Sequence, residues 1–300
     1  MRVPKWLAVG VCSHPGHVRR HNEDDYLLGA LVGTGTLLAA VADGMGGLAG
    51  GAEASRSSLR ALGAMVLDGG SSTPLAERLL AGYTAAGERV RDEAAAVPAL
   101  RDMGTTLTAL CLADGQALVG HIGDTRLYRV RRGHCEVLTV DHAVREPDNL
   151  LTRCIGAGQP TCTPDHAAIP VRAGDRFLLV SDGVWSVLAT ALFARLAAAS
   201  GPQAAAEALV GAALAAGGPD NATAIVVEVV SAAADADTVD VDLPRHERPS
   251  ERQSWPPARS LRPPRWPWLL LLGAALVALD VVTRGLGWGG AAGVWHWCVG

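Results

Sequence analysis

Apolar positions recur along this chain with two periods, one of strands and one of helices. Residues 37–42 form an unbroken apolar run of strand length, and residues 6–12 alternate apolar and small side chains. Both predict strands. Residues 52–65 and 75–95 are alanine-rich with helical spacing, joined by the connector DGGSSTP. Residues 104–140 then divide into four short apolar strands at Asp114-Gly115, Gly123-Asp124 and Arg132-Gly133. That spacing reads as an antiparallel meander. Further strands are predicted near 166–171, at 176–181 and at 223–230, with helices at about 186–199 and 203–216 before the last. Strands, two helices, many strands, two helices and a strand predict an α+β sandwich with helices on its outer faces.

Several of these runs end in the same way. The apolar run before Asp43 stops at that aspartate and a cluster of glycines, ALVGHIG stops at Asp124, and RFLLVS stops at Asp182-Gly183. Asp220 and Asn221 open the final strand instead. Asp-Gly is a common turn pair, but antiparallel pairing would bring the start of the last strand beside the ends of the others. Four carboxylates would then meet at one edge, where their repulsion asks for a hard, oxygen-seeking divalent cation such as magnesium or manganese. Between the first two strands, Arg19, Glu23 and Asp24 offer a guanidinium and two carboxylates, a set suited to gripping a phosphate beside a metal.

Composition narrows the class. The 300 residues are 49% hydrophobic with a formal charge of -4, enough for a substantial core and too mild a balance for a general nucleic-acid binder. The six cysteines, at 12, 111, 135, 154, 162 and 298, contain no CxxC pair and read as small core residues in a reducing compartment. His14, His17, His21, His121 and His142 lack zinc spacing and read as loop or packed strand residues. No secretory leader is visible at the N-terminus. From residue 233 the chain turns acidic and then rich in Pro, Arg and Ser, the composition of a flexible linker to residue 265. The apolar run 268–279 follows, short of the roughly 20 residues of a membrane span unless Asp280 lies near the far interface. Six arginines precede it and Arg284 follows, an asymmetry that would keep residues 1–232 on the cytoplasmic side of a cell membrane crossed once by the segment within 266–300.

The glycines at 44, 46, 47 and 50 suggest a dinucleotide fingerprint, but a meander follows them and not repeated βαβ units. RRHNED at 19–24, VADGMGG at 41–47, GTTLTA at 104–109, HIGDTR at 121–126, LTVDH at 138–142, LTRCIG at 151–156, LLVSDG at 178–183 and PDNATAIVV at 219–227 occur in that order. With these eight motifs the first 230 or so residues closely resemble the metal-dependent Ser/Thr protein phosphatases of type 2C, most of all their bacterial form. The resemblance implies a four-layer αββα sandwich of two antiparallel sheets flanked by helix pairs, with metals at one end. It implies two magnesium or manganese ions bridged by Asp43, one also held by the Gly44 carbonyl and the other by Asp182 and Asp220. Glu23 and Asp24 would act through water, Asp124 with Asp182 would hold a weaker third ion, and Arg19 would orient the substrate phosphate.

By the same resemblance the chain would release phosphate from phosphoserine and phosphothreonine proteins and oppose a bacterial Ser/Thr kinase. The alternative is an inactive or weak phosphoprotein-binding regulator on the same fold. Two departures from the family pattern stand out. Met45 occupies a place where some eukaryotic members carry histidine, and only residues 143–150 lie where relatives have a longer flap.

Overall fold

The computed structural model of the chain describes residues 1–31, 33–46, 50–68, 72–144, 150–159, 163–199, 201–231 and 238–241. These all fall in the first of two units, Met1–Arg252. The expected anchor at 266–300, most of the expected linker, the centre of the shortened flap at 145–149, Cys162 and Cys298 lie outside the described residues.

In chain order the strands and α-helices are β1 (Arg2–Pro4), β2 (Leu7–His14), β3 (Asp24–Leu31), β4 (Thr36–Met45), α1 (Gly50–Gly63) and α2 (Leu75–Ala96). The middle of the chain gives β5 (Gly104–Thr105), β6 (Leu107–Ala113), β7 (Gln116–Ile122), β8 (Arg126–Arg131), β9 (His134–Val137), β10 (Ala143–Val144), β11 (Leu150–Leu151) and β12 (Ile155–Gly156). Then come β13 (Asp165–Pro170), β14 (Arg176–Val180), α3 (Asp182–Trp185), α4 (Thr190–Ala197), α5 (Pro202–Ala215), β15 (Ala222–Val229) and β16 (Thr238–Asp240). Seven strands form one sheet in the order β12-β5-β4-β6-β7-β13, with β3 also on β4, and five form a second in the order β2-β15-β14-β8-β9. The pairings are antiparallel.

Strand periodicity then sorts the core into layers. Leu37, Ala39 and Val41 of β4 join Leu179, Ile225 and Val227 of the other sheet in a cluster between the two sheets. Leu38, Ala40 and Ala42 face the other way and pack with Leu62, Leu79 and Tyr83 of α1 and α2. On the far side Leu178, Val180 and Val226 pack against Phe193, Leu209 and Val210 of α4 and α5. The result is helix pair, sheet, sheet, helix pair.

Three expectations are corrected in detail. The four meander strands do not share a sheet: β6 and β7 lie in the first and β8 and β9 in the second. The chain crosses at 123–125, where Gly123 has φ +105° and a Cβ would stand 2.5 Å from Thr106. The helix expected at 186–199 starts later, at Thr190, because Ala189 is extended with ψ 137° ahead of α4. Within the stretch read as linker, Thr238–Asp240 pairs with β1, and Val241 packs against the cluster between the sheets.

Candidate metal centre

The alternation that fills the space between the sheets with aliphatic side chains continues past the apolar part of each strand. On β4 the series 37, 39, 41 leads to Asp43, and on β3 the series 30, 28, 26 leads to Asp24. The same count places Ser13 on β2, Thr108 on β6, His121 on β7, Ser181 after β14 and Thr223 on β15 on that inner face. One end of the inter-sheet space is therefore polar, and the strand ends that carry the aspartates surround it.

Asp24 and Asp43 are direct cross-strand partners, and directly opposed like charges destabilise a sheet unless something compensates them. Asp24 is 2% exposed. Its Oδ2 accepts the Ser181 hydroxyl at 2.7 Å, which ties the first sheet to the second. Burial pushes its carboxyl up to about 7, with the Asp182 and Asp220 charges adding to that and the Ser181 and Thr223 hydrogen bonds opposing it. Burial and the charges of Asp24, Asp182, Asp124 and Asp220 hold Asp43 well above the usual carboxylate range. Asp182 is raised by burial and by Asp220, against a hydrogen bond with Asp43 and the charge of Arg19. Arg19 supplies positive charge through Nη2, 2.8 Å from Asp220 Oδ2.

Backbone contacts set these positions. The Asp43 N–H donates to Thr106 Oγ1 at 3.0 Å, and its carbonyl accepts the Thr105 hydroxyl and the Thr106 N–H, each at 2.9 Å. Gly44 donates its N–H to the Glu23 carbonyl at 3.2 Å. A Cβ on Gly44 would meet the Gly51 carbonyl oxygen at 2.1 Å, so only glycine allows β3, β4 and the start of α1 to close so tightly. The Glu23 carboxylate reaches over Gly51, whose added Cβ would stand 2.8 Å from Oε2. Gly183 plays the same part for the other pair of aspartates, since its Cβ would lie 1.9 Å from the Asn221 carbonyl oxygen.

The sequence marks Asn221 only as a companion of Asp220, whereas the fold gives it a wider part. Its Oδ1 accepts the Glu23 N–H at 2.8 Å and its Nδ2 donates to the Pro15 and His21 carbonyls, both at 2.9 Å. One buried amide thus holds the loop that carries Arg19 and Glu23 against the start of β15. The Asx pattern at 220–221 was a signal, but its partners are about 200 positions away. Asp124 sits at the sheet crossover, 4% exposed. Its carbonyl accepts Trp185 Nε1 at 2.9 Å, Arg126 lies 3.7 Å over the Trp185 ring, and Arg126 pairs with Asp141 at 2.7 Å. The Gly123 N–H donates to His142 Nδ1 at 3.1 Å, which fixes the turn before Asp124.

The structure thus brings Asp24, Asp43, Asp182 and Asp220 to one end of the sandwich with Glu23, Gly44 and Asp124 around them. Among the described residues no three carboxylate, imidazole or thiol groups are drawn together as a finished ion cage. Asp220 is instead engaged by Arg19, the nearer counter-charge. The donor set nonetheless fits a divalent cation, because every group in it is a hard oxygen. Asp24 Oδ1 is buried without a hydrogen-bond partner among the described residues, an arrangement that is costly unless a further group answers it.

The protein phosphatase 2C profile matches residues 16–216. The chain is similar to the serine/threonine protein phosphatase PstP of Mycobacterium tuberculosis, 35% identical over 202 residues that cover 61% of this chain and 37% of the relative. It is similar to the protein phosphatase PhpP of Streptococcus pneumoniae, 30% identical over 188 residues, 57% of this chain and 76% of the relative. The chain therefore spans only 37% of the length of the mycobacterial relative. The solved catalytic domain of PstP in complex with two manganese ions superposes with a TM-score of 0.68 at 32% identity, covering 77% of this chain and 100% of that one. PppA, a regulatory component of T6SS in Pseudomonas aeruginosa, gives 0.66 at 34% identity, covering 76% and 99%.

Proposed function

The chain belongs to the protein phosphatase 2C family, and from that premise we propose that it hydrolyses phosphoserine and phosphothreonine monoesters in proteins with bound magnesium or manganese. The observation that carries this reading is the convergence of Asp24, Asp43, Asp182 and Asp220 at one polar end of the inter-sheet space, with Arg19 alongside. Asp43 would be shared by two ions, one also held by the Gly44 carbonyl and the other by Asp182 and Asp220. Asp124 with Asp182 would hold a third, weaker one. Such ions, when bound, polarise phosphoryl oxygens and lower the pKa of water.

The protein's own groups do the rest. Arg19, 55% exposed along its side chain, is free to turn from Asp220 to a phosphoryl oxygen, a geometry to which the planar guanidinium is suited. Glu23 and Asp24 order solvent at the acidic end, and Ser181 keeps Asp24 from rotating. The aliphatic layer behind them, from Val41 to Leu179 and Ile225, closes the site on its inner side.

Release of phosphate from a phosphothreonine peptide, measured with manganese and with added chelator, tests the reading. Chelator should abolish release, and Asp43→Asn should lower it by about two to three orders of magnitude, in the range found when a preorganised electrostatic group is removed. Turnover equal to that of the parent would overturn it. A second reading, a regulator that binds phosphoproteins without turnover, draws on the lack of a finished ion cage among the described residues. Peptide binding without phosphate release would select it.

The expected setting belongs with this proposal. The substrates would be products of a Ser/Thr kinase, and residues 266–300 would tether the domain to the cytoplasmic face of a cell membrane. The support is the apolar run 268–279 and the arginines before it. Among the described residues no helix is long and apolar enough to cross a membrane.

A further inference from the structure

A cavity of about 390 Å³ lies between the C-terminal part of α2, the turn that follows it and the loop after β12. Arg91, Pro98, Arg101, Gly156, Ala157 and Gly158 line it with two alanines of α2, and among the described residues no acidic side chain does. The volume falls in the range of small-ligand sites. Its charge is of one sign, from Arg101 and from Arg91, the latter already engaged by a neighbouring group. The loop wall is three successive residues in the left-handed region, Gly156 at φ +82°, Ala157 at +47° and Gly158 at +73°. Ala157 adopts a conformation that costs a residue with a Cβ, and its N–H is held by the Met103 carbonyl at 2.8 Å. A Cβ on Gly158 would meet no described residue within 4 Å, and Gly158 is exposed.

The cavity is joined to the carboxylate centre by a short ladder. Gly156 pairs with Gly104, and Gly104 pairs with Met45. Two strand spacings, about 10 Å, therefore separate the cavity wall from the end of β4. Gly104 is squeezed in between, since an added Cβ would lie 3.0 Å from both Ala157 Cβ and Met45 Cε.

We infer that this cavity binds a phosphate group, with its two guanidinium groups taking the oxygens and the alanine and proline walls taking the carbon side of a phosphorylated side chain. The group comes either from a second phosphorylated residue of the substrate or from free phosphate. The first source rests on the proposed phosphatase activity.

Alanine-methyl NMR of the full chain with magnesium present reads the site directly. On titration with inorganic phosphate, the methyls of Ala94, Ala95 and Ala157 should shift saturably in the parent, and Arg91→Glu/Arg101→Glu should weaken that response by at least about tenfold, or 1.4 kcal/mol. No response in the parent, or the same response in the variant, overturns the inference. A second arm compares KM for singly and doubly phosphorylated peptides. A preference for the doubly phosphorylated peptide that disappears in the variant assigns the ligand to the substrate. Equal KM values, with the phosphate response intact, assign it to the free ion. Hydrolysis of an aryl phosphate should be the same in parent and variant, and its absence from both would count against the phosphatase reading while leaving the NMR result standing.

Discussion

Arg19 and Asp220 meet at 2.8 Å across 201 positions of sequence, and the contact places two demands on one guanidinium. It offsets the charge of a crowded acidic end, and in the proposed reaction it holds the substrate phosphate. Arg19→Ala separates the two roles. Loss of phosphate contact should raise KM for a phosphothreonine peptide by about tenfold, the equivalent of one charge-assisted hydrogen bond. Loss of the competing cation should lower the manganese concentration needed for half-maximal activity, by no more than about fivefold given the roughly 1 kcal/mol ceiling of an exposed pair. Measuring both constants on one variant is the check. If the manganese requirement rises, Arg19 is supporting the ligands and not competing for them. An unchanged KM would remove it from substrate binding.

At the scale of elements, the close approach of the turn after β14 to the start of β15 depends on the missing side chain of Gly183. Gly183→Ala forces a Cβ to within 1.9 Å of a carbonyl oxygen and should cost up to about 3 kcal/mol, with activity lost in proportion to the separation of Asp182 from Asp220. Gly211 on α5 is the matched control. No described residue lies within 4 Å of its added Cβ, so Gly211→Ala should stabilise by about 0.5 to 1 kcal/mol through helix propensity. Urea unfolding of both variants decides, and a stable Gly183→Ala protein would mean that the two turns slide apart freely. The same elements show what was legible beforehand. Asp43 and Asp182 stood out because long apolar runs stop at them. Ser13, Thr108, Ser181 and Thr223 did not, because a single hydroxyl residue in a strand is ordinary until the register between strands is known. The crossing at 123–125 was read as a hairpin because a glycine with positive φ serves a sheet switch as well as a turn, and strand length does not distinguish them. Asn221 had no local sign of its partners, since Pro15, His21 and Glu23 reach it only through the pairing of β15 with β2 and of β3 with β4.

For the whole molecule, the two sheets share a buried imidazole whose ionisation is linked to folding. His121 is 2% exposed, its Nδ1 shares a hydrogen bond with the Thr108 hydroxyl at 2.8 Å and its Nε2 donates to the Val140 carbonyl at 3.1 Å. Burial, and then the neighbouring His142 stacked at 4.9 Å, lower it from 6.5 to about 4. The folded protein thus keeps His121 neutral where the unfolded chain has protonated it. Its contribution is complete above pH 6.5, is lost as pH falls from 6.5 to 4 and is constant below that, a change of about 3 kcal/mol. Denaturant titrations at pH 7 and pH 4 should show the parent losing about that much more than His121→Gln, and an equal loss would mean that the imidazole is solvated. The other question at this scale is attachment. The described residues belong to Met1–Arg252, and the described members of the three apolar clusters are side chains of that unit. Removal of residues 253–300 should leave its urea midpoint unchanged, and a lowered midpoint would mean that the deleted segment packs on it. The apolar run 268–279 goes with the deleted segment, and the proposed tether goes with it. The full chain should therefore sediment with membranes and the truncated chain should stay in the supernatant, with the same turnover on a soluble phosphothreonine peptide. A truncated chain that still sediments would place the attachment within the phosphatase domain, and a full chain that never sediments would leave residues 266–300 without a membrane role.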